Sequence, residues 1–447
     1  MKRYETYKDS GTEWIGDIPN HWETVKIKYL NNQDDTMFID GDWIESKVIE
    51  DTGIRYLTTG NIGPGYYKEQ GRGFISEYTF EDLNCTEVFP GDLVMSRLNK
   101  PIGRACIIPN LGHRIIVAVD NVILRPNQNF ERQFLLHVMN SDGYSTYTDL
   151  ISRGATMQRI SRGQLGNINI PAPSLQEQTQ IAAYLDYKTG LIDTIIAQKE
   201  DLIQKLKEQR QAIINEAVTK GLNPDVKLKD SGIEWLGDIP EHWEGVKLSY
   251  YINVVGGSTP SSSVPEYWDG EVNWVTTDDL GKLKTKNIKT TRRKITEMGL
   301  NNCSASLLPE DTVIMSSRAP IGHLGILRIE GCTNQGCKGL VPFKDNILSE
   351  FLYYFLLSSK KELESLGTGS TFMELSATKL KDFKILLPPK EEQKEVLNHI
   401  ESGLSIIDKS LYLTTESIQK LKEYRQSLIS EAVTGKIDVR DWQAPKS

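Results

Sequence analysis

Apolar positions along this 447-residue chain follow two rhythms. Leu185, Ile192, Ile196, Ile203, Leu206, Ile213 and Ala217 fall on one register of alternating steps of three and four. The register returns about 215 residues later in Ile400, Leu404, Ile407, Leu411, Ile418, Leu421, Leu428 and Ala432. So narrow a stripe predicts a long helix that buries a coiled-coil seam, not the broader face of a helix lying on a sheet. Polar residues interrupt both stripes at matching places, Lys199 with Thr414 and Arg210 with Arg425. Polar seam positions cost stability but fix register and partner, so the two helices are expected to pair with each other. At 1.5 Å per residue, a helix of about 40 residues is a spacer roughly 60 Å long.

Outside these stripes the texture changes. Short β-branched and aromatic runs alternate with Gly, Pro, Asn and Asp breaks, which predicts short strands, connecting loops and a few helices. This texture also occurs twice. KDSGTEWIGDIPNHW (Lys8–Trp22) and KDSGIEWLGDIPEHW (Lys229–Trp243) agree at twelve of fifteen positions. YLTTGNIG has a looser echo in WVTTDDLG, FPGDLVMSRLNKPIG in LPEDTVIMSSRAPIG, GATMQRIS in GSTFMELS, and PSLQEQ in PPKEEQ. QKLKEQRQAIINEAVT and QKLKEYRQSLISEAVT agree at twelve of sixteen. A period this long excludes a solenoid of small stacked units and predicts a duplicated domain pair.

The opening string of each copy holds turn formers (Asp9-Ser10-Gly11, Asp230-Ser231-Gly232) and an Ile-Pro step that forces extended backbone. Trp14, Trp22, Trp235 and Trp243 give the turn large apolar anchors. The string is expected to dock each globular part onto the helical spacer, with His21 and His242 structural rather than catalytic.

GLNPDVKLKDSGIEWLGDIPEHW (Gly221–Trp243), the PSLQEQ/PPKEEQ segments and the paired QKLKE-RQ helices resemble the specificity subunit of a type I restriction-modification system. The resemblance spans essentially the whole chain. It implies an α+β fold: two globular, mixed α/β target-recognition domains separated by two long helices in an antiparallel coiled coil, as a pseudo-twofold internal repeat. The expected boundaries are 1–176 and 222–391 for the recognition domains, 177–221 for the first spacer helix, and 392–447 for the second with its tail. The implied partners are double-stranded DNA, two adenine methyltransferase subunits and, optionally, two ATP-dependent endonuclease and translocase subunits. S-adenosylmethionine would belong to the methyltransferase, ATP and Mg to the endonuclease, and no cofactor to this chain.

A chain with that role should carry no chemistry of its own. The [Asn/Asp]-Pro-Pro-[Tyr/Phe] loop that adenine methyltransferases share is absent. GCTNQGCK (Gly331–Lys338) fails as a phosphate loop, because Cys337 stands where lysine is needed. Glu392-Gln393-Lys394 lacks the preceding Pro-Asp of a nuclease. Five cysteines without a second close pair argue against structural zinc and for reduced thiols in a cytoplasmic protein. No apolar run approaches the roughly 20 residues of a membrane span, and MKRYETYKDS lacks the apolar stretch of a signal peptide.

The net charge of −8 alone disfavours a polyanionic partner, but it hides local patches. GKLKTKNIKTTRRK (Gly281–Lys294) has seven basic residues and no acidic one, and Arg97–Pro173 has nine against four. Lys282, Lys284 and Lys286 alternate, so on a strand they would share one face; with Lys289, Arg292, Arg293 and Lys294 they are the expected phosphate contacts. Base reading needs paired donors and acceptors. The candidates are Thr58, Thr59 and Asn61 with Thr276, Thr277 and Asp278. Arg97, Asn99 and Lys100 pair with the Ser316–Ala319 stretch that holds Arg318. Thr156, Gln158 and Arg159 pair with Thr371, Met373 and Glu374. Turn chemistry explains the same Thr, Asn and Asp residues without a ligand. Two unlike modules at fixed separation predict an asymmetric, bipartite target whose half-site centres lie about one helical turn, 34–36 Å, apart. The competing reading is a coiled-coil adaptor that joins protein partners and never meets DNA.

Overall fold

The computed structural model describes residues 2–31, 37–71, 73–154, 157–343, 345–368 and 373–445. The expected contact residues Thr156 and Thr371 lie outside them. The chain forms two compact units, Met1–Glu200 with Thr415–Ser447, and Asp201–Thr414. Two helices, Leu175–Lys220 and Lys390–Val433, each give one half to either unit.

Within the first unit, Asp193 meets Arg425 at 2.9 Å and Glu200 meets Lys422 at 3.9 Å. Residue numbers rise along one helix as they fall along the other, so the pairing is antiparallel. Within the second unit Arg210 meets Asp408 at 3.2 Å, and Ile213 lies beside Gly403 in the same sense. The two arginines set into the apolar stripes thus make the same contact, each with an aspartate of the facing helix. Ile192, Ile407, Ile418 and Leu428 are buried, and Ile196, Ile203, Leu206, Ile213, Leu411 and Leu421 are half-buried. Burial of these side chains stabilises the pairing; the half-exposed ion pairs add about 0–1 kcal/mol each and fix the register.

The globular parts repeat one plan. The first unit has a four-stranded antiparallel sheet in the order Met37–Asp40, Asn121–Arg125, Leu93–Ser96, Ala105–Ile107. A second sheet pairs Ile54–Leu57 with Phe74–Ile75 and, in parallel, with Ile115–Val117. In the second unit the larger sheet runs Ile252–Gly256, Cys337–Pro342, Val313–Ser316, Leu324–Leu327, Asn287–Ile288. Its smaller sheet pairs Trp268–Val275 with Lys294–Ile295 and, in parallel, with Gly331–Thr333. The central strands LVMS and VIMS are buried throughout, as expected of runs covered on both faces. Cys106, Cys332 and Cys337 pack in the cores, and burial pushes each thiol up to about 12.

The opening strings dock as expected. In the first unit Tyr7–Asp9 pairs with Asp17–Pro19, and this hairpin delivers Trp22, fully buried, to the first turn of the Leu175–Lys220 helix. There the Trp22 indole donates to Glu177 at 3.2 Å, and His21 meets the same carboxylate at 3.0 Å. The far end of the Lys390–Val433 helix closes on the same tryptophan. Gly435 has φ +74°, and a Cβ there would lie 2.3 Å from Pro19 Cδ. In the second unit Trp243 is likewise buried, His242 meets Glu392 at 2.8 Å and Gly221, φ +71°, lies beside the tryptophan ring, but the Trp243 indole N–H meets no acceptor among the described residues. Both histidines are therefore structural. The Gln of PSLQEQ and PPKEEQ has one job in both copies: Gln178 donates to the Pro173 and Asn129 carbonyls, Gln393 to those of Pro388 and Asn346.

Candidate nucleic-acid interface

In each unit three loops meet at one end of the larger sheet, and they hold most of the candidate residues. The first loop follows the middle strand of the smaller sheet. Thr58 caps a short turn over Thr59–Asn61. The Asn61 side chain accepts from the Thr58 backbone N–H at 2.9 Å and donates to the Lys68 and Gln70 carbonyls. Asn61 is only 1% exposed, so its hydrogen-bonding capacity is spent inside the fold. Thr276 does the same work for the helix Thr277–Gly281, sharing a reciprocal cap with Asp279. Turn chemistry accounts for Thr58, Asn61 and Thr276. Thr58 and Asp278 are exposed or nearly so, and Asp278 is held by Lys282 at 2.9 Å and Arg292 at 2.7 Å.

The second loop leaves the central strand and carries the cis peptides Lys100–Pro101 and Ala319–Pro320. The third is the returning segment that contains Arg159 or Glu374. Bridges join the two loops, Leu98 to Arg159 and Arg318 to Glu374. Backbone hydrogen bonds set the equivalence: Ile160 donates to the Arg97 carbonyl at 3.1 Å, and Leu375 to that of Ser317 at 2.8 Å. Arg97 therefore corresponds to Ser317, and Leu98 to Arg318. Direct alignment of the strings sets Arg97, Asn99 and Lys100 against Ser316–Ala319 without this offset. The first copy has one residue more before its cis proline, and Asn99, at φ +59°, absorbs it.

The offset changes what each arginine does. Arg97 is 5% exposed, donates to the Val119 carbonyl at 2.6 Å, and lies 3.1 Å from Asp40. It is spent within the fold. Arg159, exposed, lies 2.8 Å from Asp120, and Arg162 lies 3.5 Å from Asp40. Lys100 pairs with Asp149 at 2.9 Å, and the Asn99 N–H donates to the carbonyl of Gln158.

The basic stretch of the second unit takes a different form from the expected strand. Lys282–Lys286 lies in the turn between the helix Thr277–Gly281 and the strand Asn287–Ile288, so alternation there does not produce a shared face. Lys284 and Lys289 are exposed, whereas Lys286 reaches Glu401 on the long helix and lies 5.2 Å over the Tyr354 ring. Arg293 stacks 3.9 Å from the Trp268 ring centroid, and Lys294 lies 3.6 Å from Glu271.

Sequence reasoning passed over Arg104, which ties the first unit's loops together. It is 8% exposed and donates to five carbonyls: Ile62 at 2.6 Å, Thr59 at 2.7 Å, Asn99 at 2.8 Å, and Leu98 and Pro101 at 3.1 Å each. The only sign in the sequence is its place directly after the Pro-Ile-Gly step. His323 occupies that place in the second unit, where burial and then the nearby Lys360 hold its imidazole below the ordinary histidine range. Among the described residues no group of three or more His, Cys, Asp or Glu is placed to hold a metal ion. No described helix is long and apolar enough to cross a membrane.

Comparison with known proteins gives this geometry a setting. The family model described as the type I restriction modification DNA specificity domain matches residues 19–207 and 240–423. The putative type I restriction enzyme MjaX specificity subunit of Methanocaldococcus jannaschii is 26% identical over 434 residues, covering 95% of this chain and 96% of that protein. A chain solved in work on complex assembly and conformational transition of the type I R-M system has a similar fold, with a TM-score of 0.73 at 19% identity. It is covered over 99% of its length, and this chain over 94%. The HsdS subunit of Thermoanaerobacter tengcongensis has a TM-score of 0.58 at 19% identity, with 94% of this chain and 98% of that one covered. With two matched segments over most of its length, each ending in half of a helical pair, this chain belongs to the type I restriction-modification DNA specificity family and serves as a DNA-recognition subunit.

Proposed function

We propose that each unit reads one half of an asymmetric, bipartite target in double-stranded DNA, and that the base pairs between the halves go unread. One observation carries this reading. The two units share the docking string, the Gln178/Gln393 contacts and the cross-helix Arg–Asp pair, yet differ in charge and side-chain identity where the three loops meet. Conserved scaffolding under unlike surfaces suits two modules that read different sequences. The adaptor reading gains nothing from the family or from the exposed cations Arg159, Arg162, Lys284, Lys289 and Arg318.

Phosphate contact would fall to Arg162, Lys282, Lys284, Lys289 and Arg292, which fix position without specifying sequence. Base contact would fall to Thr59, Gln158, Arg159, Thr277 and Arg318. In this reading the chain works in the cytoplasm with two adenine methyltransferase subunits, and optionally with two endonuclease and translocase subunits. S-adenosylmethionine, ATP and Mg are handled by those partners. Co-purification with a methyltransferase, followed by mapping of methylated adenines, tests the proposal. A gapped motif with two unlike halves is expected; a continuous motif or a true palindrome would overturn it.

A further inference from the structure

The two exposed arginines at the loop junctions stand on opposite sides of the same bridge. In the first unit the arginine is Arg159, on the returning segment, with Asp120 beside it. In the second unit that position is Glu374, and the arginine is Arg318 on the facing loop. Both side chains of the bridge differ between the copies, yet in each copy one of the pair is an arginine next to a carboxylate.

The second pair has the geometry of a held reader. Glu374 accepts from the Nε of Arg318 at 3.0 Å. Among the described residues neither terminal guanidinium nitrogen of Arg318 meets an acceptor, and the side chain is 47% exposed. A guanidinium gripped at Nε presents its two terminal N–H groups as a fork, and such a fork matches O6 and N7 of guanine in the major groove. The floor beneath is kept low: a Cβ built on Gly336 would lie 3.6 Å from Arg318 Cδ and 3.0 Å from the Thr277 methyl. Lys338, half-buried, lies 4.0 Å from the other Glu374 oxygen and holds the carboxylate in turn.

We propose that Arg318 reads a guanine in the half-site bound by the second unit, and that Glu374 is its positioning residue. This rests on the second unit being a DNA half-site reader. Glu374 fixes the arginine before DNA arrives, which removes part of the ordering cost of binding. The same planar fork also matches a phosphate; reading of a base is told from phosphate contact by loss confined to a single base pair.

The test uses the chain assembled with its methyltransferase. Its probes are duplexes carrying the motif recovered from adenine methylation, with each base pair of both halves replaced in turn. Arg318→Ala and Arg318→Lys should each lose about five- to 150-fold of discrimination at a single G·C pair in one half, leaving the other half unaffected. Glu374→Gln should lose about two- to tenfold at that same pair, with the salt dependence unchanged, and Glu374→Asp should recover part of it. Uniform weakening across all duplexes, with the salt slope reduced by roughly 0.9, would make Arg318 a phosphate contact and overturn the inference while the half-site reading stands. Discrimination lost in Arg318→Ala and Arg318→Lys but intact in Glu374→Gln would overturn the positioning role. Full affinity and discrimination in both Arg318 variants would remove this loop from the interface, and with it the assignment of the second unit's reading surface.

Discussion

Replacing Arg104 with Met is the sharpest perturbation this structure offers. Methionine keeps the apolar stem and removes every donor. Five carbonyls, from the two stretches Thr59–Ile62 and Leu98–Pro101, then lose their shared partner. Charge-assisted hydrogen bonds contribute roughly 1.5–3 kcal/mol each, but five bonds to one group do not add. Release of the buried guanidinium, which has no carboxylate partner among the described residues, returns some of the loss. We expect a net destabilisation of about 3–5 kcal/mol, the range for breaking a buried polar network. With a urea dependence of roughly 2 kcal/mol per molar, the first unit's midpoint falls by about 2 M. Amide exchange should locate the damage. Protection should drop over residues 54–62 and 98–104 and hold over 274–281 and 313–323, where His323 occupies the corresponding place. A loss below about 1 kcal/mol, or equal loss of protection in both units, would show that the carbonyls are satisfied without Arg104.

Three further outcomes follow from the same structure. Glu177 titrates below the ordinary value of 4.5, because burial raises it but hydrogen bonds from His21, Trp22 and Ser174 outweigh that. A depressed carboxylate stabilises the fold fully above its unfolded pKa and loses the contribution as pH falls through the folded one. Glu177→Gln should therefore flatten the acid limb of the stability curve below about pH 4.5 by up to one proton, read by urea titrations at several pH values; an unchanged limb refutes the assignment. Reversing Asp193→Arg or Arg425→Asp alone should cost about 0.5–1 kcal/mol, and the double reversal should restore most of it in thermal melts. Neutralising Lys282, Lys284, Lys289 and Arg292 together should lower the slope of log affinity against log salt while leaving the preferred sequence unchanged. The slope should fall by up to roughly 0.9 for each phosphate these side chains neutralise.

The long helices were legible in the sequence because a coiled-coil seam is a local code: one periodicity states the element, the buried face and, through Arg210 and Arg425, the register. The docking strings were legible for a similar reason, since a tryptophan, a proline and a glycine at fixed spacing leave few conformations. Arg97 and Arg104 were not. A buried arginine and a surface arginine carry the same letter, and only the carbonyls of distant loops decide between them. The match of Arg97 to its partner failed because one extra residue before a cis proline moves a side chain across the junction. Lys282–Lys286 misled through alternation, which has meaning only on a strand, and the helix ahead of it claims the first of those lysines as its end.

The cross-helix ion pairs carry a consequence for the origin of the chain. Arg210 grips Asp408, and Arg425 grips Asp193; each partner is the counterpart of the other's in the duplicated sequence. A polypeptide with a single copy would already hold both the hook and the eye, so two such molecules could clasp one another without any new interaction being invented. Fusing them end to end would leave the clasp intact and free each half to drift toward its own word.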